Sequence, residues 1–435
     1  KTSLSELSKS GTLFFPGPTI SEIAVHRQFF GASSWSICGI THTTSSAKAM
    51  DSLVELITSP IQPWDAIICT SKSVQKNVEI LLQSQVDYLK DRLGITKFIL
   101  PKFPIIPLGI NTSDFHFSQS KISECRDILN INNMSVVVLY MGRLSFHAKA
   151  HPLAMYQALE KAAKNTNKEI VLIECGWHPN KFTSNAFEEA FIQECPSVRV
   201  INLDGRKSED RNIAWASADV FCSLSDNIQE TFGITPVEAM ARGIPVVVSD
   251  WDGYKDTVRN QIDGFLIPTT MPQAGLGNDL AYRHSIGLDT YDMYCGHTCS
   301  LISVDIDAAA KAFELLFQST ELRERMGKSG QKRVNENYDW RVIVPKYEKL
   351  WEELHELRKG NSKIGSVATR LWPARQDPFK LFAGYPSQKL LMKSQLELAD
   401  ENWQKAYERL KSIRNLKMVS FANYVFPSDE EIIKI

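Results

Sequence analysis

The chain has 435 residues, 43 % hydrophobic and 23 % charged, a balance that excludes global disorder and allows two or three domains with sizeable cores. Lys and Arg number 49 against 50 Asp and Glu, a formal net charge of −1, which excludes a uniformly basic nucleic-acid binder. No apolar run reaches the ~18 residues of a membrane-spanning helix, and residues 1–17 lack the long apolar stretch of a signal peptide. Several of the eight cysteines sit inside apolar runs, among them Cys69 and Cys222. Reduced, buried thiols are expected, and with them a cytoplasmic protein.

In chain order, β-branched apolar runs predict strands at Thr12–Phe15, Trp35–Ile40, Asp65–Thr70 and Phe98–Ile106. Pro101, Pro104 and Pro107, followed by Asn111-Thr112-Ser113-Asp114, mark a domain boundary. A second set of strands follows at Val136–Met141, Glu169–Cys175, Val198–Leu203, Asp219–Ser223, Pro245–Ser249 and Gly264–Ile267. Amphipathic stretches lie between them: Leu153–Lys164, Asn185–Gln193, Asp210–Ser217, Pro236–Arg242 and Asp256–Asn260. Such alternation predicts α/β domains with parallel sheets and crossover helices. Met271–Ser303 has little periodicity and reads as an insertion. Asp305–Tyr338 and Trp340–Leu357 are helical, Gly360–Ser387 is a loop, and Leu396, Ala399, Trp403, Tyr407 and Leu410 recur at helical spacing.

The expected domains are therefore 1–115, 116–340, and a helical, basic extension at 341–435 that packs back on the first. A βαβ unit needs ~30 residues, so the stretch before Pro101 holds three or four strands. Either the first strands of that domain lie outside this sequence or the domain is unusually small.

The most informative segment runs from Ser223 to Val247: a strand end, a loop, a helix and another strand. The helix starts near Thr231–Gly233, and its free N–H groups form a natural anion site at the carboxyl end of a strand. Glu230 stands just before the helix and Glu238 lies a little over two turns along it. Carboxylates on either side of a phosphate-binding helix end can grip hydroxyls at two ends of one ligand.

The Glu230-x7-Glu238 spacing, followed by Ala239-Met240-Ala241-Arg242-Gly243-Ile244-Pro245-Val246-Val247, resembles the retaining GT-B glycosyltransferases of family 4 (glycosyl transferases group 1). Gly142-Arg143-Leu144 with Lys149, Leu203-Asp204-Gly205-Arg206, Asp263-Gly264-Phe265-Leu266 and Leu322-Arg323-Glu324-Arg325-Met326-Gly327 resemble further elements of that family. Pro107-Leu108-Gly109-Ile110-Asn111 resembles its interdomain hinge. Thr231 stands where the family often has Gly, and Lys149 falls one residue later than its commonest spacing.

The resemblance implies two Rossmann-like doubly wound domains facing a cleft. It implies that Glu230 binds donor-sugar hydroxyls and Glu238 the nucleotide ribose. Backbone amides of Thr231, Phe232 and Gly233 would hold the distal phosphate, and Arg143 and Lys149 would neutralise the diphosphate as the anomeric bond breaks. No metal or other cofactor is implied: the donor, UDP- or GDP-linked, is a substrate. Thr41-His42-Thr43 follows an apolar run and resembles the family's His element at the donor sugar, which makes His42 the catalytic candidate alongside Glu230. Retention without an evident nucleophile implies front-face attack, with the leaving phosphate helping to remove the acceptor's proton.

The expected function is transfer of a sugar to a glycan, lipid-linked or protein acceptor. The alternatives are a nucleotide-sugar epimerase, which would need further acid and base groups, and a non-catalytic nucleotide-sugar binding protein. Residues 358–417 carry 13 Lys/Arg against 5 Asp/Glu. That excess reads as a solvated face or as a weak peripheral contact with the inner face of the membrane. No nucleic-acid partner is expected.

Overall fold

The computed structural model describes residues 6, 11–361, 372–395, 397 and 401–434. They fall into two compact units, Lys1–Trp372 and Pro373–Ile435. The first unit holds two parallel sheets. One has three strands in the order β1 (Thr12–Phe14), β2 (Ser36–Ile40), β3 (Ala66–Ile68). All five residues of β2 are buried, as a central strand covered on both faces requires.

The expected strand at Phe98–Ile106 is instead an irregular edge. Lys102 and Ile105 run parallel to β3 as isolated bridges. The Ile67 and Cys69 amides donate to the Lys102 and Pro104 carbonyls, both at 2.8 Å. Pro101, Pro104 and Pro107 have no N–H to donate, so the pairing is intermittent and stays at the edge.

The second sheet has six parallel strands in the order β6-β5-β4-β7-β8-β9. These are β4 (Val136–Arg143), β5 (Ile170–Trp177), β6 (Arg199–Asp204), β7 (Val220–Ser223), β8 (Val246–Ser249) and β9 (Gly264–Ile267). Strand order reverses between β4 and β7, which opens a crevice beyond their carboxyl ends. Alternate residues of β4 serve opposite faces. Val136, Val138 and Tyr140 pack with helices Leu153–Thr166 and Ile306–Gln318. Val137, Leu139 and Met141 pack with helices Ser208–Ser217 and Ile234–Arg242.

The helix expected at Asp256–Asn260 ends earlier, as Tyr254–Thr257. Arg259 turns there to grip the buried carboxylate of Asp263 through both oxygens, at 2.7 and 2.8 Å. The 271–303 insertion is more ordered than its sequence foretells. Strands β10 (Thr269–Thr270) and β11 (Ser303–Val304) pair antiparallel and close its base. Between them lie helices Asn278–Ser285 and Tyr291–Cys299.

Two crossings join the domains. The Ile110 amide donates to Tyr338 O at 2.9 Å, and Trp340 N returns a bond to Ile110 O at 3.1 Å. Asp339 accepts from the Thr112 hydroxyl at 2.6 Å and caps helix Trp340–Gly360. A Cβ on Gly109 would fall 2.7 Å from the Trp340 ring, so this closest approach needs glycine. Ile343, Leu350 and Leu354 then pack against Cys38, Ile40, Ala66 and Ile68 of the first sheet. Helix Trp340–Gly360 is thus packed on the first sheet.

The second unit holds helix Trp403–Arg414 and several shorter turns. Leu396 and Ala399, part of the helical spacing expected there, lie outside the described residues, as do 362–371 of the expected loop. All eight cysteines are free and buried.

Candidate active site

The crevice at the strand reversal is lined by the carboxyl ends of β4 and β7 and the loop that leads into helix Ile234–Arg242. Gly233 caps this helix at φ +79°, a left-handed conformation natural to glycine. A Cβ there would collide with the Tyr254 ring, and one on Gly253 would lie 2.5 Å from Phe232 backbone. The loop is thus clamped against the segment after β8. Asn227 fixes its other end. Its Nδ2 donates to His147 O at 3.0 Å, its Oδ1 accepts from the Gln229 amide at 3.0 Å, and its carbonyl accepts from Trp251 Nε1 at 3.0 Å.

Glu230 is the electrostatic centre. Its Oε2 lies 2.6 Å from Lys149 Nζ, and its Oε1 accepts from the Thr231 and Gly233 amides at 3.2 and 3.0 Å. Burial pushes its carboxyl up, but the Lys149 ammonium and the amides of Thr231 and Phe232 outweigh burial and hold it below the usual value. The amides expected to meet a phosphate are therefore taken up here by the chain's own carboxylate. Tyr254 OH stands 2.8 Å from Ser223 Oγ and 3.5 Å from Glu230 Oε2.

Glu238 behaves differently. Its carboxyl is half-buried on the helix and has no hydrogen-bond partner among the described residues. Burial pushes it up to about 7, opposed weakly by the Arg211 charge. Asp226 is also pushed up to about 7, again by burial, with the His151 amide 3.3 Å from its Oδ1 opposing.

Arg143, at the end of β4, donates through Nη2 to Ala148 O at 2.9 Å and to Gln229 Oε1 at 2.7 Å. His42 lies on the loop after β2 with its side chain exposed. Its carbonyl accepts from the Thr231 hydroxyl at 2.9 Å. The Thr that departs from the family pattern thus reaches across to the first domain. Three more bonds close the same gap: Thr70 Oγ1 to Thr231 O at 3.3 Å, Ser71 Oγ to Asp252 Oδ1 at 2.8 Å, and the Lys72 amide to Asp256 Oδ2 at 2.7 Å. Asp252 is pushed up to about 7 by burial, against the Ser71 bond that lowers it.

Hydrogen bonds thus bring Lys149, Glu230, Thr231 and Gly233 together, with Arg143 joined through Gln229 and the His42 carbonyl through Thr231, and none reaches Glu238 among the described residues. Sequence reading did not find Gln229, Tyr254, Asp252 or Tyr291. Gln229 adjoins Glu230, and that adjacency is the single available signal. The others stand in segments without a motif.

Residues 121–276 match the family Glycosyl transferases group 1. A phosphatidyl-myo-inositol mannosyltransferase of Mycobacterium leprae is 33 % identical over 140 residues, which cover 32 % of this chain and 28 % of that protein. The capsular polysaccharide biosynthesis glycosyltransferase CapM of Staphylococcus aureus is 24 % identical over 253 residues, covering 57 % of this chain and 52 % of CapM. The chain thus spans about half, or less, of the length of these curated relatives. Among solved structures, Anabaena HepE in complex with UDP-glucose superposes with a TM-score of 0.51 at 15 % identity, covering 82 % of each chain. That likeness establishes the expected architecture, two Rossmann-like domains with a helical C-terminal region. The chain has the GT-B fold, and residues 121–276 of it are similar to Glycosyl transferases group 1.

Proposed function

We propose that this protein is a retaining glycosyltransferase that moves a sugar from a UDP- or GDP-linked donor to an acceptor in glycan, polysaccharide or glycolipid synthesis. The observation that carries the proposal is the contrast between two carboxylates, one just before helix Ile234–Arg242 and one within it. Glu230 is held below its usual value and accepts from Lys149, while Glu238, two turns on, is half-buried without a hydrogen-bond partner among the described residues. A ribose offering two hydroxyls would satisfy Glu238, and desolvation of its carboxyl is offset once those donors arrive. Glu230 would hold sugar hydroxyls.

Arg143, Lys149 and the amides of Thr231, Phe232 and Gly233 would receive the diphosphate. Negative charge grows there as the bond from the anomeric carbon to the phosphate oxygen breaks, so fixed positive groups lower the barrier. The acceptor oxygen bonds to that carbon from the same face, and its proton passes to the leaving phosphate. His42 flanks the sugar from the first domain. The relatives named above act on a phosphoinositide and in capsular polysaccharide synthesis, which supports a glycan or lipid-linked acceptor.

A peripheral contact with an anionic membrane surface belongs to the same proposal. Its support is the exposure of Phe379, Tyr385, Leu390 and Met392 in the C-terminal unit, interspersed with Lys380, Lys389 and Lys393. Salt-sensitive flotation with anionic liposomes checks it.

The test of function is release of nucleoside diphosphate from a panel of UDP-, GDP- and ADP-sugars with phosphoinositide and oligosaccharide acceptors. Transfer with the donor's anomeric configuration is expected. Inversion would overturn the mechanism, and epimer formed without acceptor would favour the epimerase alternative.

A further inference from the structure

The helical insertion closed by β10 and β11 reaches both sides of the cleft through one side chain. Its helices lie beyond residue 276, where the family match ends. Tyr291, the first residue of helix Tyr291–Cys299, places its hydroxyl 3.1 Å from Ser45 Oγ and 3.4 Å from Thr43 Oγ1, both in the first domain. The same hydroxyl accepts from Gln229 Nε2 at 2.9 Å. The other end of that amide, Oε1, accepts from Arg143 Nη2 at 2.7 Å. An unbroken chain of hydrogen bonds therefore runs from the His42 loop through Tyr291 and Gln229 to the guanidinium.

An amide has one donor end and one acceptor end. With its oxygen on Arg143, Gln229 can meet Tyr291 only through its N–H. The Tyr291 hydroxyl must accept there, which leaves its own proton for the Thr43–Ser45 loop. Each link fixes the direction of the next, so the loop after β2 and the rotamer of Arg143 are set together. The insertion is anchored independently of this contact. Asp289, fully buried, pairs with Arg283 at 2.8 Å and with His297 at 3.1 Å. Gly296 lets the helix pass close to His147, since a Cβ there would lie 2.9 Å from the His147 side chain.

We propose that Tyr291 is a positioning residue that couples the first domain's Thr43–Ser45 loop to Arg143, so that the guanidinium is aimed at the donor diphosphate only when that loop is in place. The inference rests on the glycosyltransferase reading, which assigns Arg143 to the diphosphate. It adds a residue outside the family-matched segment and a direction of coupling between the two domains.

The test is calorimetric binding of UDP and GDP, with uridine and guanosine as phosphate-free probes, to wild type, Tyr291→Phe, Ser45→Ala and Arg143→Ala. Tyr282→Phe, an exposed substitution on the same insertion, is the control. Tyr291→Phe keeps the ring and removes only the hydroxyl. It should weaken the diphosphate about 3–10-fold, the worth of one hydrogen bond, with nucleoside affinity unchanged. Ser45→Ala, on the other domain, should shift diphosphate affinity in the same direction. In the Arg143→Ala background Tyr291→Phe should have no further effect. Equal diphosphate binding by wild type and Tyr291→Phe would overturn the coupling, as would a matching loss of nucleoside or additivity with Arg143→Ala. If wild type binds neither diphosphate, the glycosyltransferase reading fails first and the coupling falls with it.

Discussion

Lys149 and Glu230 form an ion pair of 2.6 Å in which the carboxylate side chain is only 9 % exposed. One residue was expected at a phosphate and the other at a sugar, yet in the free protein each is the other's partner. Glu230 also occupies the amides of its own helix end. The proposed donor site is thus pre-formed and internally neutralised. A ligand entering it exchanges partners rather than meeting bare charges.

Removing Lys149 leaves Glu230 buried without its counter-charge. Lys149→Ala should cost about 3 kcal/mol in urea unfolding at neutral pH. The paired carboxyl is held below its ordinary value of 4.5. Its contribution to stability is therefore present above pH 4.5 and lost as pH falls through the folded value. The difference between wild type and variant should shrink in acid. A variant as stable as wild type at pH 7 would show that the pair is not a structural element.

Glu174 on β5 makes the opposite pH prediction. It is buried, burial pushes its carboxyl up to about 7, and the Tyr156 hydroxyl at 2.5 Å opposes this only in part. A folded pKa above the unfolded one means that the fold favours the protonated acid. The penalty is absent below pH 4.5 and grows until pH passes about 7. Glu174→Gln keeps an acceptor for Tyr156 and cannot ionise. It should stabilise the protein at pH 8 by on the order of 2 kcal/mol and have little effect at pH 4.5. Thermal unfolding at the two pH values checks the sign.

In the first domain, Asp65 holds Arg27 through both oxygens at 2.6 and 2.7 Å, and also accepts from the Ile37 and Gln62 amides. Neither side chain is more than 1 % exposed. Arg27→Ala strands a buried carboxylate and should destabilise by about 3–5 kcal/mol, whereas a fully exposed pair would give under 1 kcal/mol. Urea unfolding of the variant decides between the two.

Gly233 sits at φ +79° with the Tyr254 ring against its α-carbon. Gly233→Ala should displace the helix end and abolish diphosphate binding, while far-UV circular dichroism stays that of the folded protein. Retained binding would mean that this loop does not form the phosphate site.

The second sheet was readable because its strands are apolar, rich in β-branched residues and separated by helical stretches. Helix Ile234–Arg242 was readable because its motif is written into consecutive residues. Phe98–Ile106 reads as a strand from its apolar, β-branched residues, but Pro101 and Pro104 within it supply no N–H and the ladder breaks there. The insertion misled for another reason: helix Tyr291–Cys299 buries Cys295, Gly296 and Cys299, so its buried face is built of small residues that carry little hydrophobic period. Tyr291 and Gln229 meet Ser45 and Arg143 only through tertiary folding, a relationship that no local pattern records. The Lys149–Glu230 pair was hidden in the same way, since each residue carried an expected ligand rather than an expected neighbour.

The most direct test of the account is calorimetric titration of UDP and GDP into wild type and Glu238→Ala between pH 6 and 8. On the proposed assignment ribose hydroxyls bind the carboxylate form of Glu238, whose carboxyl is pushed up to about 7 by burial. Wild-type affinity should therefore rise as pH climbs through 7, by up to about tenfold for each pH unit below that value. Glu238→Ala should bind weakly with no such rise. Failure of both diphosphates to bind wild type, or a Glu238→Ala titration that overlays the wild-type curve, would contradict the account.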